Sequence, residues 1–218
     1  MIKVENVEVM GFESAIRGMR NPMNSWDKSD SEWKLLNVDE VEMYGFEGEY
    51  AYSIGENDLK LASKLSKAGT DHSKFLRMIT VFIDITAPLY WWKEFDTYKV
   101  GTVANSCSTM HEIHNKELTF DDFSCEKLFP ASMGVLNLNI KAFNKNRQMF
   151  LDTKDKEFWW QMIQLLPSSY NQKRTVMLNY QVLKNMYHAR KSHKLDEWRE
   201  FCKEIEDLPY FEELIKGE

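Results

Sequence analysis

Residues 76–99 read LRMITVFIDITAPLYWWKEFDTYK, and how this stretch divides decides the fold. From Leu76 to Thr86, Ile79, Val81, Ile83 and Ile85 recur at every second position with Met78, Thr80, Phe82 and Asp84 between them. That alternation is the mark of a strand with one face turned to a core. Pro88 then stands where a helix favours its first residue, since no intrahelical N–H is needed there. The run PLYWWKEFDTYK predicts about three helical turns, with Leu89, Trp92 and Phe95 or Tyr98 on related faces.

Upstream, Ile2 to Phe12 alternates well enough for an opening strand, and Glu13 to Arg20 has the spacing of a short helix. Residues 21–58 hold Asn-Pro, Ser-Asp-Ser and two Gly-bearing turns around DEVEMYGFEGEYAYSIG, which reads as a loop followed by an acidic hairpin. Asn57-Asp58 is the expected cap of a helix from Leu59 to Lys67, closed by Gly69. Downstream, the segment from Gly101 to Ser108 breaks the helix, and residues 115–153 read as mixed. DKEFWWQMIQLL is a helix ended by Pro167, and two more helices are expected near 181–191 and 195–207. Strands and helices are interspersed without the rhythm of a parallel sheet, and no repeat or linker divides them. The expectation is α+β, a single domain spanning 1–218.

Among 218 residues, 34 Asp and Glu outweigh 28 Lys and Arg, a net charge of −6. No broad basic surface is left for polymeric nucleic acid, whereas one nucleotide phosphate needs only two or three placed cations. Cys107, Cys125 and Cys202 are widely spaced and form no Cys-x-x-Cys pair, so neither a disulfide framework nor a zinc ribbon is indicated. Cys107 is expected to be a buried neutral thiol. His111-Glu112-x-His114 misses the His-Glu-x-x-His spacing of a zinc protease by one residue, and no metal is expected. The tryptophan pairs Trp91-Trp92 and Trp159-Trp160 read as core. No run approaches the roughly 18 apolar residues of a membrane span, and the N-terminus lacks a signal-like apolar stretch, so the expectation is a soluble cytoplasmic protein.

No Gly-x-Gly-x-x-Gly and no Gly-x-x-x-x-Gly-Lys is present, and no cysteine stands in the Pro-Cys-His setting of the cysteine-dependent thymidylate synthases. Three segments in order do, however, resemble the flavin-dependent thymidylate synthases, the ThyX family. ITVFIDITAPLYWWKEF is similar to the family's strand, Ala-Pro and helix ending in Arg-Gln-Trp, with Lys93, Glu94 and Phe95 at those three places. At the place of the signature Arg-His-Arg-x-x-Ser-x-Asn-Glu-x-Ser stands Thr97 to Cys107, in which only echoes remain: Lys99 keeps a cation, Thr102 a hydroxyl, and Asn105 occupies the signature Glu or, with one extra residue, the signature Asn. LLPSSYNQKRTVMLNYQVLKNMYHARKSH is the best-kept segment, and Asn179, Asn185 and Arg190 coincide there without gaps. His193 lies one residue from the family's histidine.

The resemblance implies a ThyX-like antiparallel sheet flanked by helices, and a homotetramer with sites shared between subunits. It implies methylation of deoxyuridylate (dUMP) to thymidylate with methylenetetrahydrofolate, FAD and NADPH. By position, Arg190, Lys99, Glu94, Lys93 and Asn105 would face the pyrimidine nucleotide, and Asn179, Asn185, His193, Tyr98 and Thr102 the flavin. No residue is assigned as catalytic. Two further functions are left open: a silenced nucleotide- or flavin-binding protein, and an altered pyrimidine modification. Read without the family, Arg190, Lys191, His193 and Lys194 only cap the negative end of a helix.

Overall fold

The structure, a computed structural model, describes residues 2–35 and 50–217. Its centre is a four-stranded antiparallel sheet, built from β1 (Lys3–Met10), β4 (Thr80–Pro88), β5 (Val103–Ser106) and β6 (Asn171–Asn179) in the order β1-β4-β6-β5. Ile79, Val81, Ile83 and Ile85 are buried as their alternation predicts, each contributing roughly 1.5–3 kcal/mol of apolar burial. β4 pairs β6 without interruption from Thr80 opposite Asn179 to Pro88 opposite Asn171. Along β1 the register slips by one residue between Glu5 and Glu8, where Asn6 takes a left-handed conformation and donates to Asp84 Oδ2 at 3.0 Å.

The helices are α1 (Phe12–Arg20), α2 (Glu56–Lys67), α3 (Leu89–Phe95), α4 (Thr109–Glu112), α5 (Pro130–Thr153), α6 (Lys156–Leu165), α7 (Tyr180–Arg190) and α8 (Asp196–Glu204). One large core joins the sheet to α1, α2, α3, α7 and α8, and a smaller one, with Phe143 and Met162 fully buried, lies between α5 and α6. An α+β chain with an antiparallel sheet flanked by helices is thus what the sequence predicts and what forms. Among the described residues no helix is long and apolar enough to cross a membrane.

Several boundaries move. Ser73–Met78 is a 3-10 segment, so β4 opens at Thr80 and not at Leu76. Pro88 is the last residue of β4, and α3 keeps two turns rather than three. Its first free N–H groups, those of Leu89 and Tyr90, are satisfied by the carbonyls of Tyr170 and Ser168. Residues 103–106 are a fully exposed edge strand and not merely a helix break, β6 is a central strand the sequence reading left unassigned, and the mixed stretch 115–153 holds the long α5. A hairpin does form after the loop, pairing β2 (Glu32–Leu35) with β3 (Tyr50–Ser53); the part of the expected acidic hairpin at 36–49 lies outside the described residues.

Asp58 does not cap α2. Its side chain is fully buried against Arg20, while Asp30 reaches in from the preceding loop to accept from the N–H groups of Asn57 and Asp58 at 2.9 and 3.0 Å. Gly11 joins β1 to α1 at φ 97°, and a Cβ there would lie 2.2 Å from the Met78 carbonyl oxygen. Gly11→Ala therefore combines a disfavoured backbone with a clash against rigid main chain. Thermal unfolding should register a loss of more than about 2 kcal/mol, and a smaller loss would show that the junction can yield.

Candidate functional site

Two elements far apart in sequence converge at the C-terminal end of α7. α3 is short, so Glu94 lies in its last turn and Tyr98 in the turn that follows, held by the Tyr98 N–H donating to the Phe95 carbonyl at 3.0 Å. Arg190 ends α7 and meets both residues, Nη1 donating to Glu94 Oε2 at 2.7 Å and Nε to the Tyr98 hydroxyl at 3.0 Å. The guanidinium also stacks on Trp198 of α8, 4.8 Å from the ring centroid. Trp198 Nε1 donates to the same Glu94 oxygen at 3.1 Å, and His193 Nε2 stands 3.4 Å from it. His193 Nδ1 accepts from the Leu195 N–H, which places the ring proton on Nε2, facing Glu94. The aromatic floor is deep: Trp91, Phe95 and Trp198 are buried with rings in contact, as the core reading of Trp91-Trp92 expects. Trp160, in contrast, is 43% exposed.

Glu94, Tyr98, Arg190 and His193, four of the ten residues singled out by position, therefore form one cluster. The other six lie elsewhere. From Tyr98 the chain runs along α7, where Gly101 comes against Asn179 and Val182. Asn179 caps α7, its Oδ1 accepting from the Val182 N–H at 3.1 Å, and the Thr102 hydroxyl donates to the Tyr98 carbonyl. Eleven residues separate Asn179 from Arg190, about 16 Å of helix. Asn185 is turned about 140° away from Arg190 around the same helix and accepts from Gln181. Lys93 and Lys99 are exposed, and Asn105 is exposed on β5 opposite Thr175.

The proposed flavin ligands thus fall on two sides of α7, and Tyr98, Thr102, Asn179, Asn185 and His193 each already make a hydrogen bond within the chain. One chain alone does not form a trough that fits FAD. Residues near the other end of the sheet bound a cavity of about 590 Å³, with Thr86, Cys107, Ser108, Lys116, Tyr170 and Lys173 among its walls. The end of the signature-like segment therefore opens on a space that the Arg190 cluster does not line.

Sequence reasoning passed over Arg174, which stacks 4.1 Å over Trp92, donates to Asp96 at 2.7 Å and to Gln172 at 3.0 Å. The alternation within NQKRTVMLN was the available signal, since it sets Arg174 on the opposite face of β6 from Val176's neighbours in sequence.

Cys107 is exposed, contrary to the expected buried thiol: β5 is a sheet edge, with no layer over it. Cys202 is buried, and that burial pushes its thiol up to about 12. A maleimide at pH 7.5 should label Cys107 first and leave Cys202 untouched until the chain unfolds, as read by mass spectrometry of peptides. Equal rates at the two would contradict these placements.

No family model and no curated protein matches the sequence. Among solved structures, thymidylate synthase X (ThyX) from Helicobacter pylori with FAD and dUMP is similar with a TM-score of 0.69 and 17% identity, over 99% of this chain and 98% of that one. A second structure, flavin-dependent thymidylate synthase ThyX from Helicobacter pylori complexed with FAD and dUMP, has a TM-score of 0.69 at 17% identity over 97% of this chain and 98% of that one. Likeness at this identity carries the architecture and nothing finer. In fold, this chain is ThyX-like along its whole described length.

Proposed function

We propose that this chain is a single-domain pyrimidine-nucleotide protein on the ThyX architecture, with the Arg190 end of α7 facing the nucleotide. The observation that carries the reading is the convergence of Glu94, Tyr98, Arg190 and His193 on one spot, within a fold shared with proteins that were solved with FAD and dUMP. The reaction the resemblance implies is methylation of deoxyuridylate to thymidylate, for which methylenetetrahydrofolate would supply the carbon and FAD, with a reduced nicotinamide such as NADPH, the redox chemistry. In that reading Arg190 holds anionic charge, and Tyr98 and Trp198 orient the guanidinium. Asn179, Asn185, Thr102 and His193 border a flavin that neighbouring copies complete.

Self-association is supported by apolar side chains left at the surface, Phe129 ahead of α5 and Val135 and Leu138 one turn apart on it. A homotetramer in the cytoplasm is the assembly this reading takes.

A second reading is favoured by one contact. Glu94 neutralises Arg190 inside the chain, which suits a protein that has kept the architecture and given up methyl transfer. Visible absorbance of the protein with added FAD, calorimetry with dUMP, and turnover with folate and NADPH separate the two. Flavin binding with product supports the synthase, dUMP binding without product supports the silenced protein, and no binding of either ligand overturns both.

A further inference from the structure

One carboxylate oxygen gathers groups from three parts of the chain. Glu94 Oε2 accepts from Arg190 Nη1 at 2.7 Å and from Trp198 Nε1 at 3.1 Å, and His193 Nε2 stands 3.4 Å away, longer than a normal hydrogen bond. Arg190 and Glu94 cancel each other in charge. The resemblance puts a glutamine at the place of Glu94, with no charge to cancel, so this arrangement belongs to the present chain. The other charged groups near the ring are engaged elsewhere or exposed. Lys191 lies over the Tyr187 ring, Lys194 is exposed, and Arg199 donates to the His193 carbonyl and to Asp196. Glu197 is buried and accepts from the Tyr90 hydroxyl. If Arg190 turns to another anion, His193 is therefore the group placed to answer the charge left on Glu94.

We propose that His193 takes up a proton when an anion occupies Arg190, so that anion binding and protonation are linked at this site. The proposal rests on the reading that Arg190 faces the nucleotide, and it adds regulation by pH. In the unbound cluster Nδ1 accepts from the Leu195 N–H at 3.2 Å, so a proton there costs that bond while Arg190 already answers Glu94. A monoanion on the guanidinium leaves one uncompensated negative charge, which an imidazolium cancels. Nε2 then gives Glu94 Oε2 a charge-assisted hydrogen bond, stronger than the long one lost at Leu195. Trp198 Nε1 keeps the carboxylate in place during the exchange. The proton comes from solvent, which reaches the partly exposed ring. Since binding takes up a proton, affinity rises as pH falls through the range in which imidazole titrates, about pH 8 to 5.

Calorimetry with two anions whose charge does not change over this range, the methyl ester of dUMP and inorganic sulfate, tests the linkage. No flavin is added, because His193 also borders the flavin in that reading. Heats at pH 7 in two buffers of unlike ionisation enthalpy count the protons taken up, and about half a proton or more per anion is expected. Affinity should be at least about fivefold higher at pH 5.5 than at pH 8. His193→Gln should still bind, with no proton uptake and a flat pH profile, which the loss of a merely structural contact would not produce. Glu94→Gln removes the charge that the imidazolium answers, so uptake should vanish there too while binding persists. Arg190→Gln should abolish the heat; a heat that survives it, or proton uptake that survives His193→Gln, overturns the proposal. Sulfate bound with proton uptake but no binding of the ester upholds the linkage and counts against the nucleotide reading. The ester bound without uptake does the reverse, and binding of neither anion overturns both.

Discussion

Asp58→Ala should cost the fold about 3–5 kcal/mol, the largest stability loss expected from any one side chain here. The Asp58 side chain is fully buried and Arg20 is 5% exposed, and Arg20 Nε donates to Asp58 Oδ1 at 2.5 Å. Asp58 Oδ2 accepts from the hydroxyls of Ser29 and Ser31 at 2.6 Å each and from the Asp30 N–H at 3.2 Å. Its removal leaves a guanidinium buried beside a vacated space and cuts α1, the loop 25–31 and α2 apart at once. For a chain of this size the melting temperature should fall by about 10 °C. Removing both charges, as in Arg20→Met with Asp58→Leu, should recover much of the loss, because the desolvation cost goes with them. If the double variant is no more stable than Asp58→Ala, the charge explanation fails.

The same carboxylate sets an acid limit. Burial alone would raise its pKa, but the Ser29 and Ser31 hydroxyls and Arg20 outweigh it, and the net shift is downward. A folded pKa below the unfolded one means that the stabilisation is present above the unfolded value of 3.8 and is lost as pH falls through the lower folded value. Melting temperature should therefore drop steeply below about pH 4 in the parent chain and less steeply in Asp58→Asn.

Local pattern was enough for β4, α7 and α8 because each buries one face whose period shows in the residues, and for α6 because Asp155 caps its start and Pro167 follows its end. It was not enough for β6 and α5. Asn171 to Lys173 and Arg174 give β6 a polar first half, and its central place depends on pairing with residues about ninety positions earlier. α5 buries only Leu136, Ile140 and Phe143, a stripe too thin among its asparagines and exposed Val135 and Leu138 to stand out. Asp58 was misread for a related reason: Asn-Asp before an apolar run is a capping pattern, and only the tertiary arrival of Arg20 and Asp30 tells a cap from a buried ion.

For the candidate site, spacing on α7 placed Arg190 correctly at a helix end and could not say what it would meet. Glu94 entered through its position beside Lys93 in the helix after Pro88, and nothing local shows that its carboxylate turns onto a guanidinium from the far end of the chain.

Glu94→Gln should raise the affinity for dUMP by at least about tenfold, equivalent to roughly 1.4 kcal/mol. Arg190 and Glu94 lie 2.7 Å apart with side chains 19% and 35% exposed, so the pair presents almost no net charge to an arriving phosphate. At an effective dielectric near 20, one charge 4 Å away is worth about 4 kcal/mol, and partial exposure of Glu94 reduces that figure without abolishing it. Glutamine keeps an oxygen for Trp198 Nε1 and for the Arg190 fork while withdrawing the negative charge, so the guanidinium stays in place and becomes available. Arg190→Lys should lose affinity in either background, since a point charge does not reproduce bidentate recognition. The outcome separates two roles that position alone leaves equal. If Glu94 competes with the phosphate, the glutamine variant binds more tightly; if Glu94 itself accepts a hydrogen bond from the pyrimidine, it binds equally or less well. A fall in dUMP affinity on Glu94→Gln, measured by calorimetry at fixed salt, would sink the competition account and make the carboxylate a ligand.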